Sequence, residues 1–89
     1  MKHKLLWHPQ AWKGYLYFQK NDPNLFTKIN ELIRDIDQHP YEGLGKPEPL
    51  RHLLKGFWSR RINREHRLIY CLEKKNKLII AACRYHYKK

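Results

Sequence analysis

The chain has 89 residues, 42% hydrophobic and 13% aromatic, and its 19 Lys and Arg outweigh 8 Asp and Glu to give a formal net charge of +11. Such a length suits one domain spanning residues 1–89, with a single small core that buries about 60–65% of the unfolded surface, and the apolar content argues against disorder. No apolar run approaches the roughly 18 residues of a membrane span, and the first ten residues lack the long apolar core of a signal peptide, so a cytoplasmic location is expected.

In chain order, residues 3–7, HKLLW, read as a short apolar strand. His8-Pro9 then opens a helix with proline at its first position, and Trp12, Tyr15, Leu16 and Gln19 share one face of it with Phe18 flanking. Asp22-Pro23 offers an N-cap and a first helical residue to a second helix. Its Leu25, Phe26, Ile29, Leu32, Ile33 and Ile36 recur at helical spacing until Pro40 ends the run.

Residues 40–49 read as a loop carrying Gly43, Gly45 and the pair Pro47 and Pro49 around Glu48. Proline fixes its own φ and drives its predecessor toward extended backbone, so Glu48 sits on a stiff stalk. Three strand-like runs follow, GFWSRRIN, HRLIYCLE and KLIIAACRYHY, with turns short enough for hairpins. The order β-α-α-β-β-β predicts an α+β fold, with two N-terminal helices on one face of an antiparallel sheet and the other face partly open.

Charge is uneven along the chain. Residues 1–40 hold six basic and four acidic side chains, net +2, whereas residues 41–89 hold thirteen and four, net +9. That asymmetry suggests a polyanion-binding face in the second half; a solvated basic surface is the plainer alternative. No segment reads as a basic amphipathic membrane anchor. Cys71 and Cys83 lie within apolar runs and read as buried thiols. The six histidines form no HxxxH, HxH or similar pairing, so neither a metal nor another cofactor is expected.

Cleaving an RNA phosphodiester without a metal requires a base for the 2′-OH proton, a cation for the phosphorane, and an acid for the leaving 5′ oxygen. Glu48 is the candidate base, though it reads equally as a loop glutamate neutralised by Lys46 or Arg51. Arg67 falls on the same strand parity as Ile69 and Cys71 and needs an anionic partner there, a substrate phosphate or a structural carboxylate. His86 suits proton transfer near neutral pH. If Lys75-Asn76 forms a two-residue turn, Arg67 opposes Arg84 and both share a face with His86; a three-residue turn would reverse this. Tyr70 reads as core, Tyr87 as a base-stacking residue, and Trp58 as either.

The segments NELIRDI, YEGLGKPEPLRH, GFWSRRI, EHRLIY and LIIAACRYHY, in that order, resemble the YoeB toxin group of the RelE superfamily over nearly the whole chain. The resemblance implies a RelE-like fold and a ribosome-dependent endoribonuclease of a type II toxin–antitoxin pair that cuts mRNA in the ribosomal A site. It implies Glu48 as general base, Arg67 as phosphate clamp, His86 as general acid and Tyr87 as a helper that orients substrate. Arg51 and Arg61, with Lys46 and Arg84, would hold the RNA backbone. Implied partners are a YefM-like acidic antitoxin, the ribosome, a second copy of the chain, and promoter DNA bound only by the toxin–antitoxin complex. Lys88 and Lys89 follow where the group commonly ends at the tyrosine. The alternative function is a non-catalytic ribosome- or RNA-binding translation inhibitor, in which Glu48 is incidental.

Overall fold

A computed structural model describes residues 1–85. Their elements are β1 (Lys4–Trp7), α1 (Pro9–Asn21), α2 (Pro23–Gln38), β2 (Glu48–Pro49), β3 (Trp58–Arg61), β4 (Arg67–Glu73) and β5 (Lys77–Ala82), with a 3-10 turn at His52–Leu54. Both helix starts follow from their caps: His8 Nδ1 accepts from the amide of Gln10, and Asp22 Oδ1 from that of Leu25. The α2 stripe is core as expected, with Ile29, Leu32, Ile33 and Ile36 buried and Leu25 and Phe26 packed at their edge.

On α1 the buried face is a different one. Ala11, Gly14 and Phe18 are buried, whereas Trp12 and Leu16 are exposed. The small side chains let this helix approach the end of β5 closely, since a Cβ on Gly14 would lie 3.1 Å from Cys83 Sγ. Tyr15 alone of the expected face joins the core margin, packing on Trp7 and Phe26 and donating to Asn30 Oδ1 at 2.6 Å.

The sheet has the order β1-β5-β4-β3-β2. The α+β class holds, but the sheet is mixed, not wholly antiparallel: β1 pairs in parallel with β5, with Leu5 opposite Leu78 and Trp7 opposite Ile80. Parallel pairing needs a long crossover, and the chain between these two strands supplies it. A fifth strand, β2, arises within the expected loop, pairing Glu48 with Ser59 and Pro49 with Trp58. Leu68, Tyr70, Leu78 and Ile80 face the helices, and the alternate residues face away.

The β4–β5 turn has three residues, because Glu73 pairs with Lys77. That register runs to Tyr70 opposite Ile80; a bulge between Ile69 and Tyr70 then shifts the ladder so that Ile69 pairs with Ala82, the register that a two-residue turn would have given. Strand β5 ends at Ala82, well before the end of the run anticipated from sequence. Cys83 turns into the core and donates to the Ala11 carbonyl, with its thiol pushed up to about 12 by burial despite nearby Arg84. Burial, then the Glu73 charge, raises Cys71 as well. No helix among the described residues is long and apolar enough to cross a membrane.

Asp37 ties the N-terminus to α2. It is 2% exposed and accepts from the amides of Lys2 and His3 and from His3 Nδ1 at 2.8–2.9 Å. Burial alone would raise its pKa, but these bonds outweigh it and hold the carboxyl at about 2, against 3.8 unperturbed. A depressed native pKa gives stability that is present above 3.8 and is lost as pH falls through about 2. Asp37→Asn is therefore expected to lower stability by about 2 kcal/mol at neutral pH and to flatten the acid limb. Urea unfolding of both proteins across acid pH measures this, and parallel acid limbs would contradict it.

Candidate active site on the sheet face opposite the helices

The loop between α2 and β2 has no regular structure, yet it is held at several points by β3 and its neighbours. Arg60, wholly buried, supplies most of them. Its Nε donates to the Tyr70 hydroxyl, Nη1 to Asp35 Oδ2 and the Leu44 carbonyl, and Nη2 to the carbonyls of His39 and Glu42. All five guanidinium donors are thus matched.

The partners are themselves fixed. Tyr70 donates onward to the Pro40 carbonyl at 2.6 Å, and burial pushes its phenol up against the opposing effect of Arg60. Asp35 also accepts from the Leu44 amide; burial works against ionisation, but the Arg60 and Leu44 bonds prevail and its pKa is lowered. Two glycines make the loop possible. Gly43 has φ +113°, and a Cβ there would fall 2.3 Å from Asp35 Oδ2. Gly45 has φ +80° and accepts from the Arg61 amide at 2.7 Å.

This frame delivers Glu48. The carboxylate residue is exposed, and its extended backbone pairs with Ser59, in keeping with the proline stalk. Ser59 in turn pairs with Ile69, and Arg61 pairs with Arg67. Paired residues share a sheet face, as do residues two apart on a strand, so Glu48, Arg61 and Arg67 all project from the face opposite the helices. Strand geometry sets the Glu48 Cα roughly 8 Å from that of Arg61 and roughly 12 Å from that of Arg67, within the combined reach of their side chains.

Arg67 keeps the expected parity with Ile69 and Cys71. Instead of a carboxylate, its Nη1 meets backbone carbonyls of its own turn, those of Asn63 at 2.7 Å and His66 at 3.1 Å and, more loosely, Arg64. Nε and Nη2 make no hydrogen bond among the described residues. Among the described residues the guanidinium is anchored through Nη1 alone.

Lys46 and Arg51 are exposed on either side of Glu48. Arg84 does not share the face of Arg67: its guanidinium lies 3.5 Å from the centre of the Tyr17 ring of α1 and 4.8 Å from that of Tyr85. The end of β5 at Ala82 and the inward turn of Cys83 carry it to the helix side. Tyr70 is core, and Trp58 packs half-buried against the same core and Tyr41. His86, Tyr87, Lys88 and Lys89 lie outside the described residues. Among the described residues no three His, Cys, Asp or Glu side chains converge on one point.

Sequence reasoning passes over Arg60 and His66. In WSRRI, alternation gives Arg60 the parity of Trp58 and Ile62, an arginine on the core side, and His66 shares the parity of Leu68 and Tyr70. The parity argument applied to Arg67 is enough to find both.

Fold and face together define a small α+β protein with a carboxylate and arginines displayed on one side of a five-stranded sheet. The family described as "YoeB-like toxin of bacterial type II toxin-antitoxin system" matches residues 7–87. The chain is 57% identical over 84 residues to Toxin YoeB of Escherichia coli K12, an alignment covering 94% of this chain and 99% of that one. A YoeB dimer from Staphylococcus aureus superposes with a TM-score of 0.91 at 48% identity, covering 98% of this chain and 100% of that one. The toxin chain of a heterotetrameric YoeB-YefM complex from the same organism superposes at 0.88, with the same identity and coverage. The chain belongs to the YoeB-like toxin family of bacterial type II toxin–antitoxin systems.

Replacing Arg60 by Lys keeps the charge but not the planar five-donor fork. Arg60→Lys is expected to cost about 3 kcal/mol and to speed amide exchange at Leu44 and Arg61. Denaturant titration and exchange NMR measure both; wild-type stability with unchanged exchange would show that the loop holds itself.

Proposed function

We propose that this toxin is a ribosome-dependent endoribonuclease that cleaves mRNA in the A site by metal-independent general acid/base chemistry. The observation that carries this reading is the projection of Glu48 from the same sheet face as Arg61 and Arg67. Glu48 takes the 2′-OH proton as the 2′ oxygen attacks phosphorus. Arg67, through Nε and Nη2, stabilises the charge on the phosphorane. The bond to the 5′ oxygen then breaks, and His86 donates the proton that oxygen needs, with Tyr87 orienting the substrate. The products are a 2′,3′-cyclic phosphate and a 5′-hydroxyl. Arg51, Arg61 and Lys46 track the RNA backbone.

Each acid or base contributes typically about 10²–10⁴-fold, so much of the acceleration rests on the ribosome bringing the 2′-OH into line. Such reliance would spare RNA outside the ribosome. The neutralising partner is a YefM-like antitoxin whose acidic segment covers this basic face, and the free toxin pairs with a second copy of itself. The S. aureus dimer and complex support both.

Primer extension on a translated message tests the reaction. Wild-type protein is expected to leave 5′-hydroxyl ends at A-site codons. Glu48→Gln should slow cleavage about 10²–10⁴-fold and Arg67→Ala about 10²–10³-fold, both remaining folded. Arrested translation on intact mRNA would instead mark a non-catalytic inhibitor. 5′-Phosphate ends would overturn the attack by the 2′-OH.

A further inference from the structure

Four lysines gather where the β4–β5 turn meets the start of β1. Lys74 and Lys75 lie in the turn, with Lys74 at φ +46°, and Lys77 opens β5 beside Lys4 of β1. The Lys4 amide donates to the Asn76 carbonyl at 2.6 Å, which ties the first strand to the turn. All four lysines are exposed, and none forms an ion pair among the described residues.

Leu5 and Leu78 face the helices, so strand alternation puts Lys4 and Lys77 on the opposite face of the sheet. Their backbones are paired about 4.8 Å apart, and like charges so placed repel. Glu73, opposite Lys77, supplies one carboxylate to the row. Four cations against one anion, held together by strand register, favour the arrival of a polyanion. The lysines are remote from the arginines of the same face: Arg67 and Glu73 are the two ends of β4, roughly 20 Å apart. Between these ends the face carries Leu6, Ile79 and Cys71 in register, then Ala81 and Ile69, an uncharged band.

We propose that Lys4, Lys74, Lys75 and Lys77 form a second RNA-binding surface, which takes the phosphate backbone of ribosomal RNA and not the message being cut. The proposal rests on the reading that the toxin acts on the ribosome. A single strand running from Glu48 to the lysines would meet no cation across the uncharged band, so two charged ends suit two separate backbones. Lysine ammonium groups on flexible stems meet phosphates as point charges, and such contacts position a protein without reading sequence. The surface therefore docks the toxin and takes no part in the chemical step.

The test changes all four lysines to glutamine and titrates binding to bacterial ribosomes at several salt concentrations. A Glu48→Gln background keeps the message intact during the titration. The fourfold variant is expected to bind about 10²-fold more weakly near about 0.1 M salt, and its slope of log affinity on log salt should fall by about 0.7–0.9 per lysine. The loss should be the same whether the message ends at the A-site codon or continues beyond it. With Glu48 restored, the ribosome concentration for half-maximal cleavage should rise by the same factor while the maximal rate is kept. The pair Lys74→Gln and Lys75→Gln should lose about half the slope. The pair Lys13→Gln and Lys20→Gln, which removes as much charge from α1, should stay near wild type. Unchanged affinity and slope, or an equal loss in the α1 pair, would overturn the proposal. So would a loss seen only with the longer message, or a fall in the maximal rate. If the unsubstituted chain itself does not bind ribosomes, the proposal falls with the reading beneath it, and that titration alone reveals it.

Discussion

A single buried guanidinium holds the site's frame together. Moving a cation into a protein interior costs several kcal/mol unless every donor is matched, and Arg60 meets that condition with five partners. Four of these belong to the α2–β2 connection or to the last turns of α2. The fifth, the Tyr70 hydroxyl, passes the restraint on to Pro40. A segment of poor local propensity is thus tied at several points to the sheet beneath it. Only glycine fits at position 43, where the chain runs against Asp35, so the loop's sequence and the arginine's geometry require each other.

Glu48 inherits this rigidity. The bond between Gly45 and the Arg61 amide and the two-residue pairing of β2 with β3 place it at a defined register on the sheet. Arg60 and Arg61 are neighbours with opposite roles, because a strand sends successive side chains to opposite faces. Arg60 points inward and fixes the loop; Arg61 projects outward from the face that also carries Glu48. Arg67 unites two tasks. Its side chain is tied down at Nη1 among the described residues, while its amide holds the carbonyl of Tyr85. Glu48, Arg61 and Arg67 are therefore linked through three adjacent strands.

Much of this is legible in the residues. The α2 stripe, the Asp22 cap, the prolines that open both helices and the proline stalk rest on local chemistry, and the local chemistry prevails. The aromatic residues of α1 suggest one buried face, whereas Ala11 and Gly14, which set how closely the helix packs, define another. The parallel partner of β1 lies about seventy residues away in sequence, and no local pattern announces it. The hairpin register turns on two compensating irregularities, a three-residue turn and a bulge, neither encoded by a strong turn signature. Arg60 is legible by parity alone, but beside an outward arginine in a basic stretch it resembles one more surface charge.

The most direct test is the geometry of the ribosome-bound complex. Electron cryomicroscopy of a slow His86→Ala variant on ribosomes, with unmodified mRNA in the A site, would show the scissile nucleotide against the sheet. The account predicts the Glu48 carboxylate within about 3 Å of the 2′ oxygen and Arg67 Nε or Nη2 on the scissile phosphate. An mRNA lying along the helix side, or a Glu48 carboxylate left in solvent away from the 2′ oxygen, would contradict it.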